Sequence, residues 1–166
     1  MNHTAADTVA QKIEELHRLL LLRGWKLGVA ESCTGGLLSS WIAQLPGISS
    51  VFSGAIVCYA RQVKIDVLKV PERIILSSGE VSGPVARAMA QGANKALGSN
   101  WSVAITGIAG PAGGTPEKPV GTVCFALSGP GFEEVWRHQF PSHLERHEIQ
   151  RHAAVFALDL LLSAMR

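Results

Sequence analysis

The 166-residue chain has little that could tie it together covalently. It has three cysteines, Cys33, Cys58 and Cys124, and no C-x-x-C pair. The odd count and wide spacing argue against a disulfide framework or a structural zinc site, and for free thiols in a reducing compartment. Charge is scarce as well. Charged residues make up 17% of the chain, the formal net charge is +2, and no two Lys or Arg residues are adjacent. A dedicated nucleic-acid binder concentrates its basic residues on one face, so nucleic acid is not an expected partner. Long apolar runs are missing: "LLLL" at 19–22 is closed in by Arg18 and Arg23. A membrane span takes roughly 18 apolar residues, and the N-terminus does not read as a secretory leader. A cytoplasmic protein without membrane contact is expected.

What is present is apolar material for a core, 47% of residues, in a length typical of one domain. No internal repeat or linker divides 1–166, so a single domain is expected. Val9, Ile13, Leu16, Leu20 and Leu21 fall at helical spacing, with Asp7 as a candidate cap and Gly24 as the stop. "WKLGVAES" reads as a buried strand, followed by a helix from near Thr34 that Pro46 ends. "VFSGAIVCYA" reads as a strand and "RQVKIDVL" as a helix, broken at Pro71. "SGPVARAMAQGANKALG" is a helix with Ser82 as cap, Pro84 in its first turn and Gly98 at its end. "WSVAIT" is a buried strand. "TVCFALS" and "EEVWRHQF" form a hairpin around 129–131, and a last helix runs from Ser142 to near Met165. Strands alternating with helices, then two strands in succession, predict a three-layer α/β/α sandwich with a mostly parallel mixed sheet.

Three strand ends carry polar side chains. Ser32 and Cys33 precede Thr34, Gly35 and Gly36, where a strand meets a helix. Such a junction offers backbone N–H groups and the positive end of a helix dipole to a phosphate or an oxyanion. A plain capped turn would use the same residues. The pattern is not GxGxxG, a P-loop or GxSxG. Tyr59, the only tyrosine, ends the second strand, and Thr106 ends the third, just before a glycine- and proline-rich loop from Gly107 to Gly121. Ligands of parallel sheets sit at carboxyl strand ends. If these strands are neighbours, Ser32, Tyr59 and Thr106 meet in one cleft.

A serine nucleophile needs a base. Of the six histidines, His143 and His147 are four apart on the predicted last helix, and a solvated polar face accounts for them. Lysine is an accepted alternative base. Lys64 follows the second strand among Val63, Ile65 and Val67, a setting that can desolvate it, although a lone lysine is more often a surface charge. Arg146 and Arg151 on the last helix are candidates for binding a phosphate or carboxylate, or are simply surface charges. No histidine partners Cys33, and strand alternation would turn its side chain away from Ser32.

Four segments together resemble the CinA C-terminal domain family: "AESCTGG" at 30–36, the pattern G-x-x-V-x-Y-x-x-x-x-K from Gly54 to Lys64, "GEVSGPVARAMAQGA" at 79–93, and "TGIAGPAGG" with "KPVGTV" at 106–123. The resemblance covers nearly the whole chain. It implies a serine amidohydrolase acting on nicotinamide mononucleotide in pyridine-nucleotide salvage. On that resemblance Ser32 is the nucleophile, Lys64 its base, and Tyr59 an assistant or proton relay. Backbone N–H groups around Thr34, Gly35 and Gly36 would hold the oxyanion. Thr106, Gly107 and Arg146 would contact substrate. Where the family commonly has "TYSNEAK" this chain has "CYARQVK", which brings Arg61 beside the site. No metal or organic cofactor is implied, and the partner is a small-molecule nucleotide. The family also occurs fused behind another domain, and 166 residues match the stand-alone form. Small chains with exposed apolar helices often pair, so a homo-oligomer stays among the expectations.

Overall fold

The computed structural model describes residues 5–166, with side chains from Thr8 onward. In chain order the elements are α1 (Ala5–Arg23), β1 (Leu27–Glu31), α2 (Leu37–Ala43), β2 (Phe52–Val57), α3 (Arg61–Asp66), α4 (Glu72–Ser78), α5 (Gly83–Leu97), β3 (Trp101–Gly107), β4 (Thr122–Gly129), β5 (Phe132–Gln139) and α6 (Arg146–Met165). The sheet order is β2-β1-β3-β4-β5. β1 lies centrally between β2 and β3, parallel to both. β4 and β5 add antiparallel pairings. The expected mixed α/β sandwich is therefore observed, and the antiparallel part is the hairpin turning at Gly129–Phe132.

Strand alternation sorts the core into two layers. Leu27, Val29, Val103, Ile105, Val123, Phe125 and Leu127 pack against α1, α2 and α6. Ala30, Ala104, Cys124 and Ala126 pack against α3, α4 and α5. The second face is lined by small residues because α5 lies close to the sheet. The approach is also tight between α5 and the segment after α3: a Cβ on Gly92 would stand 2.0 Å from the Leu68 backbone oxygen. Only glycine fits there.

Local signals act as expected in α5. The Ser82 hydroxyl accepts from Val85 N–H at 3.4 Å, Pro84 sits in the first turn, and Gly98 closes the helix at φ 60°. Elsewhere the chain departs from expectation. Leu21 is 49% exposed, while Leu19 joins Leu16 and Leu20 in the core. Residue 21 lies at the edge of the apolar stripe, where one step of 100° leaves the core. α1 starts at Ala5, and Asp7, the candidate cap, lies outside the residues whose side chains are described; so does His3. α4 was not anticipated, because Pro71 reads as a breaker; its fixed φ of −62° in fact leads into a helix. α6 begins at Arg146 rather than Ser142, behind a capping box of Glu145 and Glu148. His143 is therefore off the helix and does not share a face with His147. No helix among the described residues is long and apolar enough to cross a membrane.

Candidate active site

β1 delivers the serine. Its backbone keeps strand pairing one residue past the element, with Ser32 N–H donating to Ile105 O at 2.9 Å. The chain then turns sharply through Gly35 and Gly36, at φ 63° and 100°. The Glu31 side chain, fully buried, folds beneath this turn. One carboxylate oxygen accepts from the N–H groups of Gly36 and Leu38 at 3.2 and 3.1 Å, the other from Ser39 at 2.8 Å. Glu31 thus caps α2 with a negative charge at the positive end of its dipole.

This arrangement engages two of the N–H groups expected to face an oxyanion. Gly36 N–H is committed to Glu31, and Gly35 N–H donates to Ser32 O at 3.1 Å. The N–H groups of Cys33 and Thr34 donate to no other residue among the described residues. The Thr34 hydroxyl is buried and likewise unpartnered. Gln150 on α6 steadies the turn, donating to Cys33 O at 2.8 Å. Cys33 packs its side chain into the α2–α6 layer, on the opposite face from Ser32. Burial pushes its thiol up to about 12, which disfavours the thiolate that a nucleophilic cysteine needs.

Lys64 reaches Ser32 from α3. Its Nζ lies 3.1 Å from Ser32 Oγ, 2.8 Å from Cys58 O and 3.2 Å from Tyr59 O. The side chain is 1% exposed. Burial of a lysine inside one short helix is possible because α3 follows β2 directly and lays the residue under the strand ends. A carboxylate that the sequence did not single out completes the surroundings: Glu80 Oε2 stands 3.5 Å from Nζ. It lies in "GEVSGP", where its spacing gives no hint of proximity to Lys64.

Ser32, Lys64, Tyr59, Thr106, Gly107 and Arg146 all line one cleft of about 290 Å³. Thr34, Gly35 and Gly36 do not line it. Thr106 donates its hydroxyl to Glu80 O at 3.0 Å. Tyr59 lies just beyond β2 with its side chain 58% exposed. Its hydroxyl meets Arg146 Nη2, and no bond joins it to Ser32 or Lys64. Only its backbone carbonyl contacts Lys64, and the phenol, expected as an assistant or relay, is bonded to Arg146 instead. Arg146 also donates to Gly110 O at 2.7 Å, tying α6 to the glycine-rich loop. That loop is ordered: Ile108 and Gly121 bond back to Thr122 O and Ile108 O at 2.9 and 2.8 Å, and Lys118 Nζ donates to Ser78 O at 2.7 Å. A second cavity of about 320 Å³, among Val9, Ile13, Trp41 and Arg151 on the far face, contains no nucleophile. No group of three or more metal-ligating side chains occurs among the described residues.

The sequence pattern of the CinA C-terminal domain matches residues 9–165. The chain belongs to this family. A CinA-like protein of Anaeromyxobacter sp. is 48% identical over 147 residues, which cover 89% of this chain and 35% of that protein. A CinA-like protein of Gloeobacter violaceus is 46% identical over 143 residues, 86% of this chain and 34% of that one. The chain thus spans about a third of the length of these curated relatives. Among solved structures, the competence/damage inducible protein CihA from Agrobacterium tumefaciens superposes with a TM-score of 0.92 at 30% identity, covering 100% of this chain and 99% of that chain. The competence or damage-inducible protein from Enterobacter asburiae gives 0.91 at 29% identity, covering 99% and 100%. The CinA fold is therefore shared over essentially the whole chain.

Proposed function

We propose that this CinA-family domain is a nicotinamide-nucleotide amidohydrolase, converting nicotinamide mononucleotide to nicotinate mononucleotide and ammonia through a Ser–Lys pair. The observation that carries the reading is the buried Lys64 amine 3.1 Å from Ser32 Oγ. A neutral amine has two N–H donors and one lone pair. Three acceptors, Cys58 O, Tyr59 O and Glu80 Oε2, surround Nζ beside Ser32 Oγ; in the neutral state that the mechanism requires, the amine gives its N–H groups to two of them and turns its lone pair to the Ser32 hydroxyl.

The chemistry follows from that stoichiometry. Lys64 takes the Ser32 proton as Oγ bonds to the carboxamide carbon. The carbonyl oxygen gains the negative charge at the Ser32 end of the cleft, beside the backbone N–H of Cys33. One such donor is worth about 3–4 kcal/mol of transition-state stabilisation. Collapse breaks the C–N bond, and the Lys64 ammonium gives its proton to the departing nitrogen, which leaves as ammonia. Water then gives a proton to Lys64 and its hydroxyl to the acyl carbon; the C–Oγ bond breaks, Lys64 returns that proton to Ser32 Oγ, and the released acid loses its own proton to solvent as the carboxylate. Arg146 and the N–H groups of the 107–113 loop are suited to the substrate phosphate, and the exposed Tyr59 ring to its heterocycle.

A second reading is a non-catalytic nucleotide-binding module. It draws on the same lysine, since an ammonium satisfied by two carbonyls and the Glu80 carboxylate would be a structural cation. Ammonia release from nicotinamide mononucleotide by the purified protein separates the two. The amidohydrolase gives stoichiometric ammonia and loses it in Ser32→Ala. Saturable nucleotide binding by calorimetry without product, or turnover unchanged in Ser32→Ala, sinks the catalytic reading.

A further inference from the structure

Glu80 has no part in the chemistry above, yet its side chain stands between the Lys64 amine and the Arg61 guanidinium. Its Oε2 lies 3.5 Å from Lys64 Nζ, and its Oε1 accepts from Arg61 Nε at 3.2 Å. Its backbone is held on both sides. The Thr106 hydroxyl bonds Glu80 O, and Lys118 bonds Ser78 O two residues earlier. The carboxylate is therefore presented to Lys64 from an anchored segment between α4 and α5.

On the Ser–Lys reading, Lys64 becomes an ammonium each time Ser32 gives up its proton. The side chain is 1% exposed, and an unpaired buried cation is costly. Its carbonyl neighbours carry no net charge. Among the described residues Glu80 is the one carboxylate in contact with Nζ, because the Glu31 carboxylate is occupied at the start of α2. Catalytic bases are commonly oriented by a third group that also balances the charge they acquire.

We propose that Glu80 is a positioning residue for Lys64. Its carboxylate orients the amine toward Ser32 and balances the ammonium formed as the Ser32 O–H bond breaks and the Oγ–C bond forms. Arg61 holds the other carboxylate oxygen and keeps Glu80 at that distance. The proton leaves with ammonia and is not passed to Glu80. The inference rests on the proposed Ser–Lys reading.

The test compares wild type with Glu80→Gln, Glu80→Asp, Arg61→Ala and the double variant Arg61→Ala/Glu80→Gln. One readout is steady-state ammonia release from nicotinamide mononucleotide. The other is the rate at which a fluorophosphonate probe labels Ser32, followed by mass spectrometry, which needs no knowledge of the substrate. Gln leaves the Thr106 bond intact because that bond is to the Glu80 backbone, and matched melting curves verify folding. Glu80→Gln is expected to lower kcat about 10- to 100-fold, the range that outer partners of reacting groups command, with KM changed less than about twofold and labelling slowed in parallel. Glu80→Asp recovers part of the rate. Arg61→Ala loses less, and the double variant is no slower than Glu80→Gln, since both act through one carboxylate. Wild-type kcat and labelling in Glu80→Gln overturn the inference, as does a raised KM with kcat intact, which would mean that the carboxylate touches substrate. A wild type labelled at Ser32 but inert toward the nucleotide sinks only the proposed substrate, and the labelling rates then decide Glu80. A wild type that is not labelled overturns both the Ser–Lys reading and this inference.

Discussion

Replacing Glu31 with Gln should unlock the turn that carries Ser32. The carboxylate accepts three N–H bonds from the start of α2, at 3.2, 3.1 and 2.8 Å, with no exposure to solvent. A glutamine oxygen can keep the pair from Gly36 and Leu38, but its NH2 then faces the Ser39 N–H, donor against donor. Losing one charge-assisted bond in a buried setting costs about 1.5–3 kcal/mol. Removing the negative charge from the helix N-terminus adds about 0.3–1 kcal/mol, and more where the site is buried. The sum is about 3 kcal/mol. For a chain of this length that lowers Tm by about 6–12 °C, at 2–4 °C per kcal/mol. Glu31→Ala leaves all three donors without an acceptor and should cost more still. Thermal and denaturant melts of the three proteins measure this. Activity should fall further than folding explains, because the N–H groups of Cys33 and Thr34 lie in the turn that Glu31 secures. A Glu31→Gln protein that melts within 1 °C of wild type and keeps full ammonia release would refute the reasoning.

Two further outcomes follow from packing and burial. Gly92→Ala places a Cβ 2.0 Å from Leu68 O; the helix-propensity gain of about 1 kcal/mol is outweighed by an overpacking cost of about 3 kcal/mol, and a melt at or above that of wild type would show that α5 can withdraw freely. Burial raises the Cys33 and Cys58 thiols from their usual 9.0 to about 12 and about 11. The folded state holds these protons more tightly than the unfolded chain. The stability they contribute is complete below pH 9 and is lost as pH rises toward 11–12, by at most about 1.4 kcal/mol per pH unit per thiol. Denaturant melts from pH 8 to pH 10.5 should show this decline, and a Cys33→Ala/Cys58→Ala protein should show less of it; equal slopes in the two proteins count against the assignment.

The sequence made the sheet legible because its strands are short apolar runs bounded by Gly, Pro and Ser, and because the hairpin at 129–131 announces itself. It made the meeting of Ser32, Tyr59 and Thr106 legible as a consequence of three parallel strand ends. It did not reveal which hydrogen-bond donors were free. That depends on Glu31 turning back five residues to Gly36, a side-chain path that no spacing rule encodes. Glu80 was hidden for a similar reason. Its approach to Lys64 depends on how the segment between α4 and α5 is anchored by Thr106 and Lys118, and α4 itself was masked by reading Pro71 as a breaker. Tyr59 was legible as a cleft residue, but its partner was not, since Arg146 arrives from a helix 87 positions away.

The alternation of β1 also explains why two nucleophile types can stand side by side without competing. Glu31 and Cys33 face the α2–α6 layer, where one caps a helix and the other fills the core. Ser32 faces the other layer, where α3 supplies Lys64. The sheet thus acts as a partition: groups on one side fix the backbone, and on the other the proposed nucleophile meets its proposed base. Exchanging the two residues would not exchange their chemistry. A cysteine at position 32 would sit beside the Lys64 amine, in the setting that lowers a thiol's proton affinity, and a serine at position 33 would be a buried hydroxyl without a base. Reactivity at this turn is therefore a property of the face and not of the side chain, which is why the amine across the cleft, and the carboxylate behind it, decide what Ser32 can do.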